Sequence, residues 1–350
     1  MQKNKILHVM ILDKFLAPYI DFIDTHFGRE EHHYVFITSE KYTYGLTPEH
    51  QVEFLYTDDD IFTILLRYMK MARKIILHGL WRDKVNELLH DNPELLKKCY
   101  WVVWGGDLYT YILGERTEAW HKRELFRSTV IRNVKCITTT VPGDFELTKQ
   151  WYSTEADFVH NLMYPSHLYR DSNSFKCQEL KNDDIYIQIG NSADPTNNHL
   201  EIIKLISKVN LKNYKIFCPL SYGNSQYRDL IIKKGREAFG DKFIPLVDFM
   251  SFDDYNNYMA CIDIAIFNHN RQQAMGNIIG LLSLGKKVVI KSTITPYAFF
   301  KDLDIKVYTL DSHDLFKTIP IDVKKKNISL TRNYFNKKKL YADWKKIFNE

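Results

Sequence analysis

The sequence has few of the residues and motifs that mark several large protein classes. Its 350 residues include only five cysteines, ten prolines and fourteen glycines. That composition excludes a collagen-like, low-complexity or disulfide-framework chain. The cysteines (Cys99, Cys136, Cys177, Cys218 and Cys261) form no Cys-x-x-Cys pair. This spacing predicts buried, reduced thiols in a cytoplasmic protein. No run of 18 apolar residues occurs, and the N-terminal apolar run ends at Asp13 and Lys14. It is too short for a signal peptide or a membrane span, so any membrane contact is expected to be peripheral. GxGxxG, the Walker loop, HExxH and Gly-x-Ser-x-Gly are all missing. Asp58-Asp59-Asp60 and Asp302-Leu303-Asp304 match the short Asp-x-Asp string of some metal sites, but three residues with one wildcard are near chance, and no metal is assigned.

What is present is a core-forming composition, with 45% apolar and 14% aromatic residues. The net charge of +5 is concentrated at one end. Residues 321–350 hold nine Lys or Arg against three Asp or Glu, which leaves the rest of the chain near neutral. A diffuse basic surface for nucleic acid is therefore not expected.

Short β-branched runs alternate with amphipathic stretches. Strands are predicted at 5–11, 34–39, 74–80, 99–105 and 135–140, then at 184–190, 214–220, 243–249, 262–268, 286–292 and 305–310. Helices are expected at 61–73 and 119–132, then at about 197–209, 224–239, from 251 or 252, and at 272–284. The alternation pauses over the polar, turn-rich segment 164–182. It predicts an α/β chain of two doubly wound Rossmann-like domains, 1–164 and 183–327, with a linker at 165–182 and a basic amphipathic helix at 328–350. In such sheets ligands bind beyond the carboxyl ends of the strands, and two such rims would face each other across a cleft.

Three strand ends carry the candidate chemistry. In IQIGNSADPTNNH, the strand runs into Gly190, Asn191 and Ser192, then Asp194. A small residue there lets backbone N–H groups approach a phosphate, or else the segment is an ordinary loop capped by Asp194 or Thr196. In IAIFNHNRQQAMGN, the fork of Arg271 is placed to clamp a diphosphate, with Gln272 and Gln273 in the first helical turn as further donors. The competing reading is a surface Arg paired with a carboxylate. In WVVWGGDLY, Asp107 stands after two glycines, either as a general base or as a helix cap. His78, before Gly79, occupies the equivalent place after another strand, as a catalyst or as a satisfied structural group.

WGGDLY (104–109), GNSADPTNNH (190–199), RQQAMGN (271–277) and the His78-Gly79 pair together resemble the landmarks of the 4-acetamido-4,6-dideoxygalactose transferases of glycosyltransferase family 56. The characterised members build the enterobacterial common antigen repeat. The resemblance implies a GT-B fold, a dTDP-sugar donor held mainly by the second domain, no metal or other cofactor, and a polyprenyl-diphosphate-linked saccharide acceptor at the cytoplasmic face of the inner membrane. It implies that Gly190, Asn191, Ser192, Arg271, Gln272 and Gln273 line the donor diphosphate and that His78 and Asp107 approach the reacting carbon. Ala193 and Ala274 stand where the enterobacterial proteins have Gly, and the stretch Phe267 to Asn270 also differs. A sugar-nucleotide epimerase of the same fold and a non-catalytic sugar or nucleotide-binding module are the alternatives.

Near the end of the chain, Leu340, Tyr341, Trp344, Ile347 and Phe348 share one helical face, with Lys338, Lys339, Lys345 and Lys346 off it. Such a helix either lies on anionic lipid or packs its stripe into the first domain.

Overall fold

The computed structural model describes residues 1–39, 44–57, 60–171, 174–177 and 184–349. Asp58 and Asp59 of the first acidic string, and residues 172–173 and 178–182 of the expected linker, lie outside the described residues. The chain divides into two compact units, one comprising Met1–Ser166 with Lys337–Glu350, the other His167–Asn336.

The first unit is built on seven parallel strands: β1 (Ile6–Met10), β2 (His32–Thr38), β3 (Glu53–Tyr56), β4 (Lys74–His78), β5 (Cys99–Val102), β6 (Cys136–Thr139) and β7 (Asp157–His160). Their spatial order is β3-β2-β1-β4-β5-β6-β7. Every residue of β1, β4, β5 and β6 is buried, as expected of strands covered by helices on both faces. The edge strands β3 and β7 carry charged and half-exposed residues, and the sequence pattern did not mark them.

The helix Lys337–Asn349 completes this unit. Leu340, Trp344, Ile347 and Phe348 are buried, which assigns the apolar stripe to the core. The Trp344 indole donates to the Met163 carbonyl at 2.8 Å, and Asp343 accepts from the Leu162 N–H at 3.0 Å. Lys337, Lys338, Lys345 and Lys346 face outward. This helix begins at 337 and not at 328, because residues 328–334 belong to a separate helix, Ile321–Tyr334, of the second unit.

The second unit has five parallel strands: β8 (Ile185–Ile189), β9 (Tyr214–Pro219), β10 (Phe243–Leu246), β11 (Ile264–Phe267) and β12 (Lys287–Ile290). Their order is β10-β9-β8-β11-β12. The strand expected at 305–310 does not form. The Asn327 side chain takes both backbone groups of Lys306 at 2.8 Å, and Tyr308 alone bridges to the sheet, opposite Val289. The expectation of reduced thiols fails for one pair, since Cys177 and Cys261 form a disulfide. The two cysteines are 84 positions apart in sequence, yet their Cα atoms lie 4.6 Å apart, a proximity no local spacing encodes. Cys99, Cys136 and Cys218 are buried and lie outside the disulfide. No helix among the described residues is long and apolar enough to cross a membrane.

Candidate functional site

Both sheets reverse their winding at one point, between β1 and β4 in the first unit and between β8 and β11 in the second. The loops leaving the carboxyl ends of those strands part to opposite sides and leave a crevice, where doubly wound sheets take their ligands. The candidate residues of the first unit follow β4 and β5, and those of the second follow β8 and β11.

In the first unit, β4 ends at His78 and the chain turns at Gly79, φ +81°. A Cβ at Gly79 would lie 2.3 Å from the Trp81 indole nitrogen, so only glycine fits. The turn aims the Leu80 N–H at Asp107, which is 1% exposed. The carboxylate of Asp107 accepts from Leu80 N at 3.1 Å, from Trp101 Nε1 at 2.8 Å and from Trp104 N at 2.9 Å. Burial raises its pKa, and these donors oppose the rise. Asp107 does not cap the short helix Gly106–Tyr109, whose N-cap is Gly105. Its carboxylate reaches back and ties the loops after β4 and β5 together.

His78, also 1% exposed, belongs to a buried file of hydrogen bonds. Its Nδ1 meets the Tyr164 hydroxyl at 2.7 Å and its Nε2 meets His8 Nδ1 at 3.1 Å. His8 Nε2 in turn meets His32 Nδ1 at 2.9 Å. The Trp104 indole can only donate, and it donates to the Tyr164 hydroxyl at 2.8 Å. One proton per link then satisfies the file if Tyr164 donates to His78, His78 to His8 and His8 to His32. Burial holds His78 and His32 at about 3 and His8 well below its ordinary value, so all three are neutral at pH 7. His8 and His32 carry no sequence motif, and sequence reasoning missed them.

In the second unit, β8 runs into Gly190, φ +66°, where a Cβ would lie 2.2 Å from His199 Nε2 and 2.8 Å from Asn197 Oδ1. The loop's backbone donors are largely committed. Gly190 N donates to Ile266 O, Asn191 N to Asn197 Oδ1 and Ala193 N to Tyr222 O, at 2.9, 2.9 and 2.7 Å. An anion here would therefore be held chiefly by side chains, a correction to the backbone-cradle expectation. Asp194 caps the single turn Pro195–Asn197, accepting from Thr196 N at 2.8 Å.

After β11, the helix begins at Met275 and not at Gln272, so Gln272 and Gln273 lie in the loop before it. Ala274 supplies the N-cap position in the left-handed region, φ +59°. Gln273 Nε2 donates to Asn191 Oδ1 at 3.3 Å, and Gln273 Oε1 lies 2.8 Å from the Thr196 hydroxyl. Arg271 donates to the Gln272 carbonyl at 3.0 Å, with its Nη2 at 3.9 Å from Asp194 Oδ2. That separation makes Asp194 a loose partner for the guanidinium. Below the loop, Asn197 Oδ1 also accepts from His269 Nε2 at 2.9 Å. Burial, with Arg271 nearby, keeps His269 neutral, and burial brings His199 to about 4.

Gln272 is 5% exposed, yet its Oε1 has no partner among the described residues. Buried acceptors of that kind take a water or a ligand. One guanidinium among amides and hydroxyls suits recognition of an anionic, hydroxyl-bearing molecule better than proton transfer. Asn197, His269 and Tyr222 join this cluster, and sequence reasoning passed over them. Among the described residues no three His, Cys, Asp or Glu side chains gather as metal ligands.

The model of the family described as 4-alpha-L-fucosyltransferase, glycosyl transferase group 56, matches residues 11–350. Among solved structures, HepE of Anabaena in complex with UDP and glucose is similar at a TM-score of 0.71 and 9% identity, covering 99% of each chain. A glycosyltransferase of Rickettsia africae gives 0.67 at 9% identity, over 100% of this chain and 98% of that one. WaaG, a glycosyltransferase involved in lipopolysaccharide biosynthesis, gives 0.62 at 13% identity over 98% of each. The fold they share with this chain is GT-B.

Proposed function

We propose that this chain, which belongs to glycosyltransferase group 56 and is a glycosyltransferase, moves a 4-acetamido-4,6-dideoxyhexose from a dTDP-sugar to a polyprenyl-diphosphate-linked saccharide in bacterial surface glycan synthesis. The observation that carries the reading is the polar cluster at the β8/β11 switch point, where the Arg271 guanidinium sits beside the buried Gln272 amide oxygen, which has no partner among the described residues. Arg271 neutralises the donor diphosphate, and Asn191, Ser192, Gln272 and Gln273 hold its oxygens and the sugar hydroxyls. Charge develops on the departing diphosphate in the transition state, so a fixed guanidinium lowers the barrier where a mobile one would not. Holding donor and acceptor in one geometry supplies the rest. No metal is required in this scheme.

Asp107 and His78 serve the acceptor side as positioning residues. Asp107 fixes the loops bearing Leu80 and Trp104, and His78 fixes the Tyr164 hydroxyl. Both are buried, so each acts through a neighbour. Lys338, Lys345 and Lys346 of the helix Lys337–Asn349 line a surface groove of about 560 Å³ with Tyr341 and suit peripheral contact with anionic lipid at the inner-membrane face. The test is Arg271→Ala, assayed for dTDP binding and for sugar transfer to a polyprenyl-diphosphate saccharide. We expect at least a tenfold loss of both. A variant that binds dTDP and turns over like the parent overturns the assignment.

A further inference from the structure

Among the described residues, exposed large apolar side chains gather after β10. Val247, Phe249 and Met250, in the loop that follows β10, and Phe252, which opens the helix Phe252–Cys261, are 41%, 68%, 37% and 66% exposed. The Phe249 ring stacks on Tyr222 of the neighbouring loop, with centroids 6.2 Å apart and planes 20° from parallel.

Tyr222 is held rigidly for an exposed aromatic. Its carbonyl accepts from Ala193 N at 2.7 Å, and its hydroxyl accepts from Asn191 Nδ2 at 2.9 Å. At the next residue, Gly223, φ +115°, a Cβ would lie 2.6 Å from the Ala193 carbonyl carbon, so the two loops are pressed together. A surface ring anchored in this way gives up little freedom when something stacks on it.

The strand order places the pair relative to the phosphate-binding cluster. Moving outward from the switch point, β8 carries Gly190 to Ser192, β9 leads to Tyr222 and β10 leads to Phe249, all on one carboxyl rim. A nucleoside diphosphate has the same order: diphosphate, one ribose, then a flat aromatic base. The surrounding charge favours a neutral ring over a membrane. Asp248, Asp253 and Asp254 are exposed beside the apolar residues, and carboxylates there repel an anionic lipid surface.

We propose that Phe249 and Tyr222 form the stacking platform for the nucleobase of the donor nucleotide, with Asn191 linking the base platform to the phosphate cluster. The proposal rests on the donor reading given above. Base-on-aromatic stacking predicts that Phe249→Ala weakens dTDP binding about ten- to a hundredfold. Phe249 is exposed, so the substitution leaves the core intact.

Isothermal titration of the full-length parent, Phe249→Ala, Tyr222→Phe and Arg271→Ala with dTDP, and competition by inorganic pyrophosphate, separates the contributions. Phe249→Ala should lose dTDP affinity and keep the parent's response to pyrophosphate, while Arg271→Ala loses both. Tyr222→Phe keeps the ring but not the anchor, and should lose a few-fold on dTDP alone. Phe249→Ala binding dTDP within twofold of the parent overturns the platform, as does an equal loss on pyrophosphate. So does unchanged dTDP affinity with lost flotation on phosphatidylglycerol vesicles, which would assign the patch to lipid. A parent that binds no nucleoside diphosphate overturns the donor reading itself, and the platform with it.

Discussion

Asp107→Asn separates a clamp from a catalyst. The carboxylate offers two oxygens to three donors: Oδ2 receives Leu80 N and Trp101 Nε1, and Oδ1 receives Trp104 N. Asparagine is nearly isosteric but has only one acceptor atom. Turned to keep the two bonds of Oδ2, its amide group meets the Trp104 N–H donor to donor, and that buried N–H loses its partner. A lost hydrogen bond to an ionised acceptor costs about 1.5–3 kcal/mol. The opposite contribution is the desolvation of the buried carboxylate, visible as its raised pKa, which the neutral amide removes. The net expectation is a destabilisation of about 2 kcal/mol, or a urea midpoint lower by about 1 M. All six tryptophans (Trp81, Trp101, Trp104, Trp120, Trp151 and Trp344) belong to the first unit, so intrinsic fluorescence follows that unit alone. A variant that unfolds at the parent's midpoint while sugar transfer falls a hundredfold would refute the clamp and make Asp107 the group that takes the acceptor proton.

Two further outcomes follow from the structure. His8, His32 and His78 have folded pKa values below their unfolded value near 6.5, so the stability they contribute is present above pH 6.5 and is lost as pH falls, for His32 and His78 down to about 3. The first unit should weaken by up to about 1.4 kcal/mol per pH unit per histidine over that window, and a urea midpoint that stays constant from pH 7 to pH 5 would contradict this. Ala274 holds a left-handed conformation that costs a residue with a Cβ about 1–2 kcal/mol, against the roughly 0.4–1 kcal/mol of chain entropy that glycine adds to the unfolded state. Ala274→Gly should therefore stabilise the second unit by about 0.5–1 kcal/mol in thermal melts followed by circular dichroism, and a lower melting temperature would contradict the strain argument.

The buried strands were legible in the sequence because covering both faces leaves mostly apolar runs, as in β11 and, apart from His8, β1. The edge strands β3 and β7 were not, since a half-exposed strand of four residues with charges at its ends has no distinctive period. The segment 305–310 has strand composition, but Asn327 of the helix Ile321–Tyr334 takes the Lys306 backbone groups and only Tyr308 pairs with the sheet, a tertiary choice that outranks propensity. For the site, the glycine and arginine landmarks located the right loops. What those loops do with their backbone donors depended on Asn197, His269 and Tyr222, polar or aromatic residues in no motif. The glycine that the resemblance places at position 274 now has a physical reason, since the backbone there is left-handed.

The helix Lys337–Asn349 also sets an order of events during synthesis. The second unit is one continuous segment, His167–Asn336, and takes no element from the residues that follow it. The first 166 residues emerge earlier, yet the strands bearing His8 and His78 lack their cover until Trp344 and Phe348 arrive. The first unit thus stays unfinished through most of synthesis, and it exposes apolar sheet surface of the kind that draws chaperones. A chain ending at Asn336 should hold a protease-sensitive first unit beside a resistant second one.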